Sequence, residues 1–168
     1  MKEFADVISS YRIVNNLIPG GALCVFSYYF IDNRVLFNNV FFNICLFYIV
    51  GIVIGRIGSV IVEKVCKDVG FIDRAKYEDF VEAEKSDTSL KTISEISDLY
   101  RNMISLCILL EIGCAISLCF NKQSLCLVET ALLISVIVGA LMLFAYKKQI
   151  NYVRRRVYKD LDLKKREG

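Results

Sequence analysis

Two ionisable residues lie inside otherwise apolar stretches, and any chemistry in the membrane has to begin with them. Met103 to Phe120 carries Glu111 as its only charge, and Val40 to Val62 carries Arg56. An isolated charge is expensive in hydrocarbon, so Glu111 is expected to face a bundle interior, a water-filled path or a partner subunit. With a rise of about 1.5 Å per residue, Arg56 and Glu111 fall at similar depth, and their spacing predicts an intramembrane polar pair. The competing reading has Arg56 snorkelling to nearby headgroups and Glu111 protonated or bonded to a neighbouring hydroxyl. Glu129, in the run Leu125 to Tyr146, is a secondary intramembrane acid nearer the opposite face.

The remaining composition removes most other chemistry. None of the 168 residues is His, which excludes an imidazole base, a His-ligated metal and a Ser-His-Asp triad. Of the seven cysteines, Cys24, Cys45, Cys107, Cys114 and Cys126 fall in apolar runs, where a thiol behaves as a small hydrophobe. No C-x-x-C pair occurs, so neither a disulfide framework nor a metal site is expected. Gly51, Gly55 and Gly58 lack the GK[ST] ending of a phosphate loop. The chain is therefore read as non-enzymatic, with no catalytic residue, metal or cofactor.

What must position these residues follows from the hydropathy pattern. The chain is 55% apolar against 23% charged, with a mean hydropathy of +0.48, which does not suit an ordinary soluble domain. Crossing about 30 Å of hydrocarbon takes roughly 17 to 25 helical residues. Ile13 to Ile31, Val40 to Val62, Met103 to Phe120 and Leu125 to Tyr146 qualify. The fold class is an all-α membrane protein with four transmembrane helices and cytoplasmic helical extensions. Pro19 suits a first helical turn, so the first span is expected to become ordered near Ile18. Before it, Phe4, Val7, Ile8 and Tyr11 share one helical face, as in a helix lying on a membrane surface. No small-residue cleavage site follows the first run, so it is expected to stay in the mature protein.

This divides the chain into an interfacial helix (1–14), two spans (15–63), a polar helical region (64–101), two further spans (102–146) and a basic tail (147–168). Gly70 is expected to end an extension of the second span. Asp73 is a candidate N-cap, and Thr92 with Glu95 reads as a capping box leading into the third span.

Small residues recur every four positions at Gly51, Gly55, Ser59 and at Ala131, Ser135, Gly139, the pattern of close helix packing in lipid, within one chain or between chains. Basic residues crowd one side. Arg34 and Lys122 are the only ones in the two turns Asp32 to Asn39 and Asn121 to Ser124, so both termini are expected to be cytoplasmic. The tail, with Lys147, Lys148, Arg154, Arg155, Arg156 and Lys159 followed by Lys164, Lys165 and Arg166, is a surface for anionic lipid or an acidic protein partner. No stacking platform accompanies it, so direct nucleic-acid binding is not expected.

The segments YIVGIVIGRIGSVIVE (Tyr48 to Glu63), YEDF (Tyr77 to Phe80), SDLYRNM (Ser97 to Met103) and YKKQ (Tyr146 to Gln149) resemble those of a little-characterised group of small bacterial multi-pass membrane proteins. The general build is also similar to the four-span membrane components of anti-phage defence systems, such as the Kiwa membrane subunit or the accessory membrane proteins of RNA-targeting CRISPR systems. This resemblance implies a membrane component that senses or executes a defence response with a cytosolic protein partner; a four-span chain of this size is separately expected to work as a homo-oligomer in the inner membrane. It assigns no individual residue. The alternative is a small ion channel or transporter with Arg56 and Glu111 lining its path.

Overall fold

The computed structural model describes the backbone of residues 2–119 and 125–167 and the side chains of residues 13–119 and 125–162. The expected face of Phe4, Val7, Ile8 and Tyr11, the turn Asn121 to Ser124, and Lys164, Lys165 and Arg166 lie outside the described side chains. Helix α1 spans Lys2–Phe30, α2 Val40–Ile57, α3 Glu63–Asp68, α4 Tyr77–Ser86, α5 Ser89–Cys119 and α6 Leu125–Glu167. A single π turn, Gly58–Val62, joins α2 to α3 without a break. Among the described residues there is no strand, and four helices are long and apolar enough to cross a membrane.

Exposure supports that reading. Only 11% of the most apolar window of α6 is buried; Leu133, Ile137, Leu141 and Phe144 all face outward. A soluble monomer does not present so large an apolar surface to water. Lipid is the solvent that suits it.

Helix α1 packs antiparallel to α2 and alongside α5, and α5 packs against α6. The first end of α1, the last turns of α2 and α3, the start of α5 and the end of α6 therefore share one polar end of the bundle. Pro19 does not begin α1 but lies inside it. The expected start near Ile18 is thus corrected, and residue 14 is no break in the helix. Missing N–H groups at such a proline are tolerated where a neighbouring helix packs closely, and here α2 does. A Cβ at Gly51 would overlap the Asn16 carbonyl, and one at Gly20 the Phe47 carbonyl.

The π turn has a packing cause. Gly51, Ile54, Gly58, Val62 and Cys66 are the buried residues of this rod. Four-residue steps overshoot a 3.6-residue turn by about 40° each; the wider π turn winds this back and keeps Val62 and Cys66 on the packed face. Gly70 ends α3 with φ +70°. Its N–H bonds Lys67 O and that of Phe71 bonds Cys66 O, both at 2.9 Å, a Schellman closure that only glycine adopts without strain.

The polar end holds two apolar clusters. One holds Val62, Cys66, Ile72, Ile104, Tyr146 and Ile150; the other holds Ala83, Leu90 and Val157, with Phe80, Val153 and Leu161 against them. Asp73 does not cap α4, which begins after Lys76. It is drawn instead to Arg154, 2.8 Å away. Likewise α5 starts at Ser89 rather than at Thr92, because Asp87 Oδ1 accepts from the Ser89 N–H at 3.1 Å and supplies a cap one turn earlier.

Candidate functional site

The polar residues that the fold concentrates differ from those picked out by sequence. Glu63 sits just after the π turn, where the rod leaves the bundle. Arg101 of α5 reaches it, Nη1 to Oε2, at 2.8 Å, and holds Asp98 Oδ1 at 3.0 Å. Arg74, from the loop before α4, lies 3.4 Å from the same Glu63 oxygen and 3.8 Å from Asp98. It also donates to the Tyr146 hydroxyl at 3.1 Å, and Tyr146 is fully buried on α6. Lys67, one turn beyond Glu63, takes its other oxygen at 2.8 Å.

One network therefore ties α3, the loop, α5 and α6 together. The Glu63 and Arg101 side chains are only 13% and 12% exposed, so solvent screens their attraction weakly. Burial disfavours the charge on Arg74, but Tyr146, Glu63 and Asp98 outweigh it and hold the guanidinium pKa above the ordinary arginine value. Beside this network a cleft of about 420 Å³ opens among Arg74, Tyr77, Phe80, Ser97 and Val153.

A second set of contacts clamps the polar half of α6 over the helical region. Arg156 Nε meets Asp87 Oδ2 at 2.6 Å, and its Nη2 donates to Ser89 Oγ at 2.9 Å. The Ser89 hydroxyl also donates to Asp87 Oδ1 at 2.6 Å. This hydroxyl, and after it Arg156, hold the Asp87 carboxyl below its ordinary pKa against the opposing effect of burial. Lys147 Nζ stands 4.3 Å above the Phe71 ring, and Gln149 Nε2 donates to Ile93 O at 3.1 Å.

Arg56 and Glu111 are not brought together. Gly55, beside Arg56, faces Asn102; Glu111 is nine residues further along α5, about 13 Å at ~1.5 Å per residue. Arg56 is exposed at the rim of a polar groove, and Glu111 is half-buried on α5. The expected polar pair is corrected. The depth argument missed that α2 carries its polar end past the point where α5 is still polar. Glu129 is exposed near the opposite end of α6.

The two small-residue ladders mark contacts within the chain. Gly51 meets α1, and Gly55 faces α5. Ser59 is exposed on the groove; Gly58, beside it, is the residue pressed against Ser105 and Arg101. Ser135 donates to Cys107 O at 3.1 Å, and a Cβ at Gly139 would lie 3.3 Å from that of Cys107. Ala131 is half-buried one turn before Ser135.

The basic residues of the tail divide by helical face. Lys147, Arg154 and Arg156 turn inward to the contacts above, whereas Lys148, Arg155 and Lys159 are exposed. Of the network, Glu63–Lys67 at i, i+4 and Asp98–Arg101 at i, i+3 carried a local signal. Nothing local links Arg74 to Tyr146, 72 positions away.

Comparison with protein-family models, with curated proteins and with solved structures gives no match. Chemically, the network is an electrostatic joint: it contains no activated nucleophile, and among the described residues no three His, Cys, Asp or Glu side chains gather as a metal site.

Proposed function

We propose that this chain is a non-enzymatic, homo-oligomeric subunit of the bacterial inner membrane, with both termini in the cytoplasm, that couples a cytosolic protein partner to a membrane response in anti-phage defence. The response is a sensing step or a change in permeability. The observation that carries this reading is the partly buried network of Glu63, Arg74, Asp98, Arg101 and Tyr146, which joins the polar helical region to three of the rods that enter the membrane. A load applied to the loop or to α4 would reach α2 and α5 through these charged contacts, whose partners are defined.

Supporting this are the excess of Lys and Arg at the polar end, the exposed face of Lys148, Arg155 and Lys159 as a surface for anionic lipid or an acidic partner, and the resemblance to defence-associated membrane components. Direct nucleic-acid contact is not part of the proposal.

The test is phage challenge of cells that carry the gene with its genomic neighbours. Wild type is expected to restrict plaques, and the double variant Glu63→Gln/Arg101→Met, which leaves neither charge of the pair behind, to abolish restriction while membrane content of the protein stays the same. Restriction that is absent in the wild type, or unaffected in the double variant, removes the reading.

A further inference from the structure

The end of the bundle opposite the polar end carries a group of outward-facing rings. Tyr29, at the end of α1, is 65% exposed, and Phe37, Phe41 and Phe42, from the turn and the start of α2, are 56%, 67% and 57% exposed. Phe37 does not stand beyond α2. Its ring lies 6.1 Å from that of Phe42, and the Asn43 amide grips its backbone from both sides. The Phe37 N–H donates to Asn43 Oδ1 at 2.8 Å, and Asn43 Nδ2 donates to Phe37 O at 2.9 Å. The turn is thus folded back to the level of residues 42 and 43, inside the first turn of α2.

Depth follows from helix length. At ~1.5 Å per residue, ~30 Å of hydrocarbon takes roughly 20 residues. Counted back from Glu63, where the charged joint marks the polar end, this reaches Asn43; counted back from Arg56, it reaches Leu36. Either count puts the Phe37 ring at the far boundary of the hydrocarbon and not in water beyond it. A loop residue can enter that layer only if its backbone polar groups are satisfied, and the Asn43 amide satisfies both of them. Neighbouring groups are paired as well: Phe30 O accepts from Ser117 Oγ at 3.0 Å, the Asp32 N–H donates to Ser27 O at 2.9 Å, and the Phe41 N–H donates to Asn39 Oδ1 at 2.9 Å.

What covers the rings is decided by charge and continuity. None of Tyr29, Phe37, Phe41 and Phe42 is charged, so a charged partner finds nothing to pair with, and the patch runs on into the exposed Ile44 and Ile49 of α2. Acyl chains fit such a surface. We infer that the turn between α1 and α2 is a lipid-inserted anchor. Phe37, with Phe41 and Phe42, sits among the acyl chains at their glycerol end, is held there by Asn43, and fixes the depth of the α1–α2 pair. Asn33, Arg34 and Asn38, all exposed, stay on the water side. The inference depends neither on the proposed coupling role nor on which compartment the polar end faces.

The sequence contains no Trp, so Phe37→Trp introduces a single indole at the position in question. The full-length variant is reconstituted in phosphatidylcholine vesicles whose acyl chains are brominated near the glycerol end, near the methyl end or not at all, with iodide then added on both sides of the bilayer. Asn33→Trp controls for the affinity of indole itself for the interface. The indole at position 37 should emit at shorter wavelength than the one at position 33, lose most of its emission to bromine near the glycerol end and less to bromine near the methyl end, and resist iodide. The indole at position 33 should be quenched by iodide. Adding Asn43→Leu to Phe37→Trp, which leaves the backbone N–H and C=O of position 37 unpaired, should move the emission to longer wavelength and open it to iodide. Equal iodide quenching at positions 37 and 33 overturns the inference. So does an indole at position 37 that neither quencher reaches, which marks cover by a second copy of the chain, and so does an Asn43→Leu change that leaves its depth unaltered.

Discussion

Glu63 and Arg101 face each other with little water between them, so the cost of separating them lies in the partner left behind. Removing one member of an isolated buried pair typically costs about 3–5 kcal/mol; Lys67 and Arg74 still hold Glu63 when Arg101 is lost, so the loss here falls below that range. Arg101→Met is expected to lower the melting temperature in detergent, with the double variant Glu63→Gln/Arg101→Met recovering part of the loss. Additive single effects would show that the pair is not coupled. Glycine substitutions should form a graded series. Gly51→Ala forces α1 from α2 against backbone and should cost on the order of 3 kcal/mol; Gly139→Ala meets a side-chain carbon at 3.3 Å and should cost less; Gly55→Ala has room and should be close to neutral. Thermal shifts of the three variants in one detergent check the order.

Asp87 gives a pH dependence at the same scale. Its folded pKa lies below the ordinary aspartate value of 3.8, so the unfolded state binds the proton first as acidity rises. The stabilisation is complete above that ordinary value and is lost as pH falls through the lower folded one. Asp87→Asn should weaken less than the wild type across this window, with a residual dependence left by the ion-paired carboxylates of Glu63, Asp73 and Asp98. Melting curves recorded from pH 5 down to pH 3 make the comparison.

At the scale of the element, α6 does two jobs along one rod. At ~1.5 Å per residue its 43 residues measure about 65 Å, twice the hydrocarbon thickness of ~30 Å, and the surplus stands clear of the membrane. That surplus supplies Val153, Val157 and Leu161 to the cluster that holds Ala83 and Leu90. Helix α4 has ten residues, too few to be stable alone in water, and depends on this contact. Truncation after Lys148 should therefore release α4: hydrogen exchange of residues 77–86 should rise to the rate of unstructured peptide, while the apolar halves of α5 and α6 stay protected. Retained protection in α4 would place its support elsewhere.

For the whole molecule, the outward-facing apolar rods require lipid or detergent. Cys45 and Cys126 are exposed whereas Cys24, Cys107 and Cys114 are buried, so a lipid-soluble maleimide should modify the first pair well ahead of the other three. Orientation is read separately, by single cysteines introduced at Lys64 and Asn38 and an impermeant maleimide applied to intact cells. The proposed topology predicts labelling at position 38 alone.

How much of this was legible in advance depends on the range of the forces involved. Four apolar runs of bilayer length identify four spans from the sequence alone, because every backbone polar group in hydrocarbon must be satisfied and a run of roughly 20 apolar residues fits a spanning helix and not a barrel strand. Gly70 as a helix terminator was readable for a similar reason, since it rests on the φ preference of one residue. Pro19 was misplaced because the fit of Gly20 and Gly51 between α1 and α2 overrides the local preference for a first turn. Arg56 and Glu111 were paired on depth within separate helices, and depth says nothing about how a neighbouring helix is tilted or shifted. The joint of Glu63, Arg74, Arg101 and Tyr146 exists only once four distant segments are packed. Charge attraction and desolvation depend on the distances between those segments, and these are set by tertiary contact and not by spacing along the chain.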